Sequence, residues 1–196
     1  TADYIKECGM IPGLWFELES VGTGSYNFES HEHLLKRNGK PLTVGGRRFW
    51  DMEDPWVIDY LTKKVIGQLN NSGFGYIKID YNDSIGIGCD GYESLGEGLR
   101  RKVLATREFF KKIGKEVEGI VIENCSSGGH RLEPSMMEVA SQASFSDAHE
   151  TKSIPLIAAN LHRVIPPHQT QIWAVMRRAD DTDRIYYSMV NTFFGR

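Results

Sequence analysis

The chain has 196 residues, 40% of them hydrophobic and 25% charged, with a formal net charge of -3 at pH 7. That length allows a normal core in one or two domains. The mild, mixed charge excludes the basic stripe that nucleic acid requires and the basic face of a membrane-surface protein.

Along the chain, Gly13 to Glu19 alternates as a strand, with Leu14, Phe16 and Leu18 on one face and Trp15, Glu17 and Glu19 on the other. Glutamates on such a half-solvated strand need no partner. Ser20 to Gly46 is polar and glycine-dotted, too long for an ordinary connection, and reads as a functional loop or lid. A helix starts at Asp54 as N-cap with Pro55 in its first turn, carries Ile58, Leu61, Val65 and Leu69, and stops at Gly73. A strand follows over Tyr76 to Asn82. Leu95 to Ile113 reads as a helix stopped by Gly114, and Gly119 to Asn124 as a buried strand rich in β-branched residues. Next come a short helix near Pro134 to Ala140 and a strand ending at Phe145-Ser146-Asp147. Pro155 to Arg163 is a helix closed by Pro166-Pro167, Gln171 to Met176 a strand, and Arg184 to Phe194 a helix.

This strand–helix rhythm implies an α/β fold with parallel strands and helical crossovers, either doubly wound or part of a (β/α)8 TIM barrel. Polar residues at the carboxyl ends of several strands favour the barrel, whose sites are built that way. A full barrel needs about 250 residues, so residues 1–196 read as a partial one, a fragment of a single catalytic domain without its first and last strands. The chain opens at Thr1 rather than Met and stops abruptly at Phe194-Gly195-Arg196, which suits an excised piece of a longer protein. No run is apolar enough to span a bilayer, and no signal-peptide pattern is present. Cys8, Cys89 and Cys125 make no disulfide framework, so reduced thiols and a cytoplasmic setting are expected.

The chemistry concentrates in Lys78-Ile79-Asp80-Tyr81-Asn82. As a strand it presents Lys78, Asp80 and Asn82 on one face and Ile77, Ile79 and Tyr81 on the other. A lysine and an aspartate so placed must pair or meet polar ligand. Asp80 and Asp147, at the ends of two strands, suit a pair of carboxylates that split the work on a sugar. Beside Lys78, Asp80 stays ionised and is the nucleophile. Asp147 lies in Ser146-Asp147-Ala148-His149-Glu150, where the nearby Glu150 carboxylate helps it hold a proton, and is the acid/base. The small residues of Cys125 to Arg131 let backbone approach a ligand. Their C-x5-R spacing also matches cysteine-dependent phosphatases, though Asn124 and Leu132 replace the expected flanking residues. His31-Glu32-His33 has the spacing of a zinc pair but lies in the polar loop, and no metal is expected.

Gly13-Leu14-Trp15-Phe16-Glu17-Leu18-Glu19, Lys78-Ile79-Asp80-Tyr81-Asn82, Cys125-Ser126-Ser127-Gly128-Gly129-His130-Arg131 and Ser146-Asp147 together resemble the ordered motifs of glycoside hydrolase family 36, the α-galactosidases. The resemblance implies a (β/α)8 catalytic domain and a retaining double displacement, with Asp80 as nucleophile and Asp147 as acid/base. It implies that Trp15, Lys78, Asn82, Cys125, Gly128 and Arg131 line the sugar subsite, with no cofactor and a small oligosaccharide as substrate. Any oligomer would form through parts outside this chain. Leu18, Ile79 and Glu133 depart from the family's proline, tryptophan and aspartate, which leaves the sugar open. An α-N-acetylgalactosaminidase, a galactosyl transferase and a non-catalytic carbohydrate-binding fragment are the alternatives.

Overall fold

The computed structural model describes residues 1–193 and 195. The chain forms two compact units, Thr1–Ile120 and Val121–Arg196. In the first, a short helix α1 (Ala2–Glu7) precedes β1 (Gly13–Phe16). The expected strand to Glu19 ends early. A turn at Leu18-Glu19 puts both side chains in the interior rather than alternating them.

The stretch from Ser20 to Gly46 is not an open loop. It builds β2 (Ser20–Gly22), β3 (Lys36–Arg37), β4 (Lys40–Pro41) and β5 (Thr43–Val44), joined by β6 (Arg47–Phe49). Strand β6 lies between β2 and β5, and β3 pairs with β4, all antiparallel. The two hairpins turn on Asn38-Gly39 and Gly45-Gly46, all four with positive φ. Such pairs suit two-residue turns because their twist matches that of the strands. Strands this short carry little periodicity, so composition hid them. Their core is Leu35, Leu42 and Phe49, packed with Tyr81, Ile85 and Cys89. Each large apolar side chain so buried contributes about 1.5–3 kcal/mol.

The helix predicted from Asp54 forms as α2 (Pro55–Leu61) and α3 (Gly67–Ser72), with a π-helical turn over Thr62–Ile66 between them. Asp54 caps it, accepting from the Trp56 amide at 2.8 Å. The Thr62 hydroxyl donates back to the Ile58 carbonyl at 2.6 Å, a competing bond at the start of the wider turn. Gly73 ends the helix at φ +65. At its start, His33 stacks on Trp56 at 4.0 Å and Trp56 on Tyr60 at 5.2 Å, with Trp50 tilted against the last two.

These helices cross back to β7 (Tyr76–Ile79), which runs parallel to β1 with Gly13 opposite Tyr76 and Trp15 opposite Lys78. Ile77, Ile79 and Tyr81 are buried, as the alternation predicts. Helix α4 (Leu95–Glu116) passes through Gly114 instead of stopping there. Ile113 and Val117 are buried on either side of it. That packing outweighs the about 1 kcal/mol a mid-helix glycine costs.

In the second unit, β8 (Val121–Asn124) pairs in parallel with β9 (Gln142–Ser144), and β9 with β10 (Thr170–Gln171). Helix α5 (Pro134–Met137) precedes β9, and α6 (Ser153–Leu161) links β9 to β10. The core gathers Met137, Ala143, Phe145, Ile154, Ala158, Leu161, Ile165 and Ile172. The strand expected over Gln171 to Met176 stops at Gln171. The last helix, α7, spans Thr182–Asn191 because Asp181 caps it, accepting from the Arg184 amide at 2.8 Å. Its predicted end, Phe194, lies outside the described residues. Among the described residues, no helix is long and apolar enough to cross a membrane.

Candidate active site

In the first unit, the carboxyl ends of β1 and β7 bring three predicted residues together. Asp80 is buried just past β7. Its Oδ2 accepts from Trp15 Nε1 at 3.2 Å and from Asn82 Nδ2 at 3.1 Å, and its Oδ1 from the Tyr81 amide at 2.8 Å. Three converging donors suit a carboxylate anion, since hydrogen bonds to the charged form favour it. Lys78 stands one strand-step back on the same face, opposite Trp15.

Next to this group sits a set of charges that the sequence motifs did not single out. Glu17 Oε1 accepts from the Asn82 amide at 3.2 Å and from Arg47 Nε at 2.7 Å. Arg47 reaches Asp83 Oδ2 with its other arm at 2.8 Å. Burial lowers the proton affinity of the Arg47 guanidinium, but the Glu17 and Asp83 carboxylates outweigh it and hold its pKa above the ordinary value. Gly45 makes room for this contact, because a Cβ there would lie 2.6 Å from Asp83 Oδ2. The β5–β6 hairpin is thereby fastened to the end of β7.

Behind Asp80, Glu19 is fully buried and paired with Lys102 of α4; the Thr106 hydroxyl donates to the same Glu19 oxygen at 2.8 Å. Lys102 Nζ also lies 3.8 Å from the centre of the Tyr81 ring. The expectation of solvated glutamates fails here for Glu19. The signal was present in α4: Lys102 and Thr106 share the helical face of Gly98, Phe109 and Ile113.

In the second unit, Glu123 of β8 is buried and reaches both β9 and β10. It accepts from the Ser144 hydroxyl on β9 and from Gln171 Nε2 on β10, the latter at 3.4 Å. After β8, Ser126 to Gly129 all take positive φ, at 52, 52, 71 and 102°, making one left-handed helical turn. Gly129 N–H donates to the Cys125 carbonyl at 2.8 Å and His130 N–H to that of Ser126 at 2.9 Å. Asn124 Nδ2 donates to the Arg131 carbonyl at 2.6 Å, and Arg131 Nε to Ser126 Oγ at 3.1 Å. Two loop amides that a phosphate cradle would use are therefore spent on the turn itself, and Cys125 is buried. The phosphatase-like spacing is better read as this turn.

Gly128 and Asp147 meet directly: a Cβ on Gly128 would stand 2.3 Å from the Asp147 amide nitrogen. Asp147 itself is exposed, in irregular chain beyond β9. Glu150, expected to aid Asp147, lies 3.9 Å from the guanidinium groups of Arg177 and Arg184. His33, of the zinc-like pair, is instead bonded to Asp54 Oδ2 through Nδ1 at 2.6 Å.

Residues 1–171 match the melibiase family model. The chain belongs to the melibiase family. Over 140 residues it is 31% identical to the α-galactosidase Mel36A of Lactobacillus acidophilus, an overlap of 67% of this chain and 19% of that protein. It is 27% identical to the α-galactosidase AgaA of Geobacillus stearothermophilus over 187 residues, 86% of this chain and 25% of AgaA. A crystal structure of an AgaA variant in complex with raffinose superposes with a TM-score of 0.83 at 24% identity, covering 99% of this chain and 28% of that one. Another AgaA variant, in complex with stachyose, gives 0.81 at 25% identity, covering 96% and 28%. The chain thus has the fold of the GH36 α-galactosidases, in accord with a partial (β/α)8 barrel. It spans between about a fifth and a quarter of the length of these two curated relatives.

Proposed function

We propose that this chain carries the reacting carboxylates of a retaining α-galactosidase acting on terminal α-galactosides of the melibiose and raffinose type. Asp80 carries the reading: it is a buried carboxylate at the carboxyl end of a parallel strand, supplied with three donors. In barrel enzymes such strand ends hold the catalytic groups. Membership of the melibiase family and relatives named α-galactosidase support the substrate class.

In the proposed cycle an Asp80 oxygen attacks the anomeric carbon as the glycosidic C–O bond breaks, and Asp147 gives its proton to the departing oxygen. Water then gives a proton to Asp147 and attacks the same carbon, releasing Asp80. The different settings of the two carboxylates suit the division, one buried among donors and the other exposed. Trp15, Lys78, Asn82, Cys125, Gly128 and Arg131 are proposed to hold the sugar. No metal or cofactor takes part in this cycle.

The test is mass spectrometry of the full-length protein after exposure to a 2-fluoro galactosyl trap. A glycosylated peptide with the label on Asp80 is expected. Label on another residue, or turnover without any covalent adduct, would remove Asp80 from the nucleophile's role.

A further inference from the structure

The segment bearing Asp147 has neither helix nor strand to orient it, yet it is held by two sets of contacts. One set comes from the glycines of the left-handed turn. A Cβ on Gly128 would lie 2.6 Å from the Ser146 carbonyl carbon and 2.8 Å from Asp147 Cγ, and one on Gly129 2.9 Å from the Phe145 carbonyl oxygen. Only bare backbone allows that approach. The other comes from Trp173, beyond β10. Its Nε1–H donates to the Ala148 carbonyl at 3.2 Å, and its ring meets Phe145 edge-on at 5.2 Å. Between them the Ala148 amide donates to Ser146 Oγ at 2.9 Å, closing a tight turn around Asp147. The residues before and after Asp147 are thus both fixed, while its carboxylate remains exposed.

We infer that Trp173 is a positioning residue that, through the Ala148 carbonyl and the Phe145 ring, fixes the backbone carrying the Asp147 carboxyl. This rests on reading Asp147 as the acid/base. A proton donor displaced by a fraction of an ångström loses most where the leaving group depends on protonation. Activated leaving groups depart without help.

The experiment compares two substrates in the full-length protein, raffinose and a dinitrophenyl α-galactoside. Trp173→Phe keeps a ring and removes the donor. It should lower kcat/KM for raffinose by about 10- to 100-fold, part of the about 10²–10⁴ that a placed general acid supplies. For the dinitrophenyl substrate the loss should stay within about threefold, because no proton is needed there. Ser146→Ala, which takes away the acceptor of the Ala148 amide beside Asp147, should show the same asymmetry in any preparation whose circular dichroism matches the parent. Equal losses on both substrates, or none on either, would overturn the inference. Asp147→Ala separates the two claims. If it shows the asymmetry and the Trp173 and Ser146 variants do not, only the positioning role falls. If Asp147→Ala lacks the asymmetry as well, the acid/base assignment itself is wrong.

Discussion

The indole N–H of Trp15 donates to Asp80 across 3.2 Å, so the carboxyl end of one strand holds the carboxylate that follows its neighbour. A hydrogen bond to a charged group contributes about 1.5–3 kcal/mol. If it acts mainly in the transition state, Trp15→Phe in the full-length protein should lower kcat/KM on an aryl α-galactoside by about 10- to 100-fold. Steady-state kinetics within twofold of the parent would show that the bond only decorates the site.

The buried pair of Glu19 and Lys102 has a different signature. Removing one partner strands the other in the interior, at a cost of about 3–5 kcal/mol. Lys102→Met should therefore lower the urea midpoint strongly. The double variant Glu19→Gln, Lys102→Met should recover a large part of the loss, since no charge remains buried. A double variant that is additive with the single ones in a denaturation cycle would contradict direct coupling.

The cap of α2 makes stability depend on pH. Burial pushes the Asp54 carboxyl up, but the bond to His33 and the amide bond from Trp56 outweigh it, and the net direction is downward. A carboxyl lowered on folding stabilises the folded form above the ordinary aspartate value, about 3.9, and this is lost as pH falls through the folded value. Asp54→Ala should cost about 1 kcal/mol at pH 7. The gap between variant and parent in thermal unfolding should narrow on acidification. A gap independent of pH would detach the cap from the carboxylate's charge.

Asp51 runs the other way. Burial, with the like charges of Glu53 and Asp54 adding to it, raises its pKa, so its ionised form weighs against the fold once pH exceeds the ordinary value. Asp51→Asn should raise the Tm at pH 7 or leave it unchanged, because an amide oxygen still accepts from the Glu53 amide, now at 3.0 Å. Near pH 3 the two proteins should melt together. A clear loss of Tm at pH 7 would show that the charge is needed.

The parts of the fold that were legible are those with a physical period or an end signal. Asp54-Pro55 and Gly73 bounded a helix correctly, and the alternation around Asp80 predicted which side chains face the core. The grouping of Trp15, Asp80 and Asn82 followed from matched motifs. The short strands between Ser20 and Phe49 were hidden, since two- and three-residue pairs leave no periodicity. Glu19 was misread because a strand was extended through a turn. The bridge of Arg47 from Glu17 to Asp83 was not legible, because it depends on a hairpin that composition disguised. The turn at Ser126 to Gly129 was read as permissive backbone, but its handedness is a tertiary outcome, set where Gly128 meets the chain at Asp147.

The column of His33, Trp56 and Tyr60, with Trp50 leaning on it, gives the molecule an internal optical reporter. Indole rings whose centres are 6.0 Å apart share their electronic transitions, and two of the four tryptophans are so placed. The near-ultraviolet dichroism of the protein should carry a band owed to this stack. Because none of its rings is among the proposed sugar-holding residues, that band would follow the integrity of the hairpin region while the reaction is altered elsewhere.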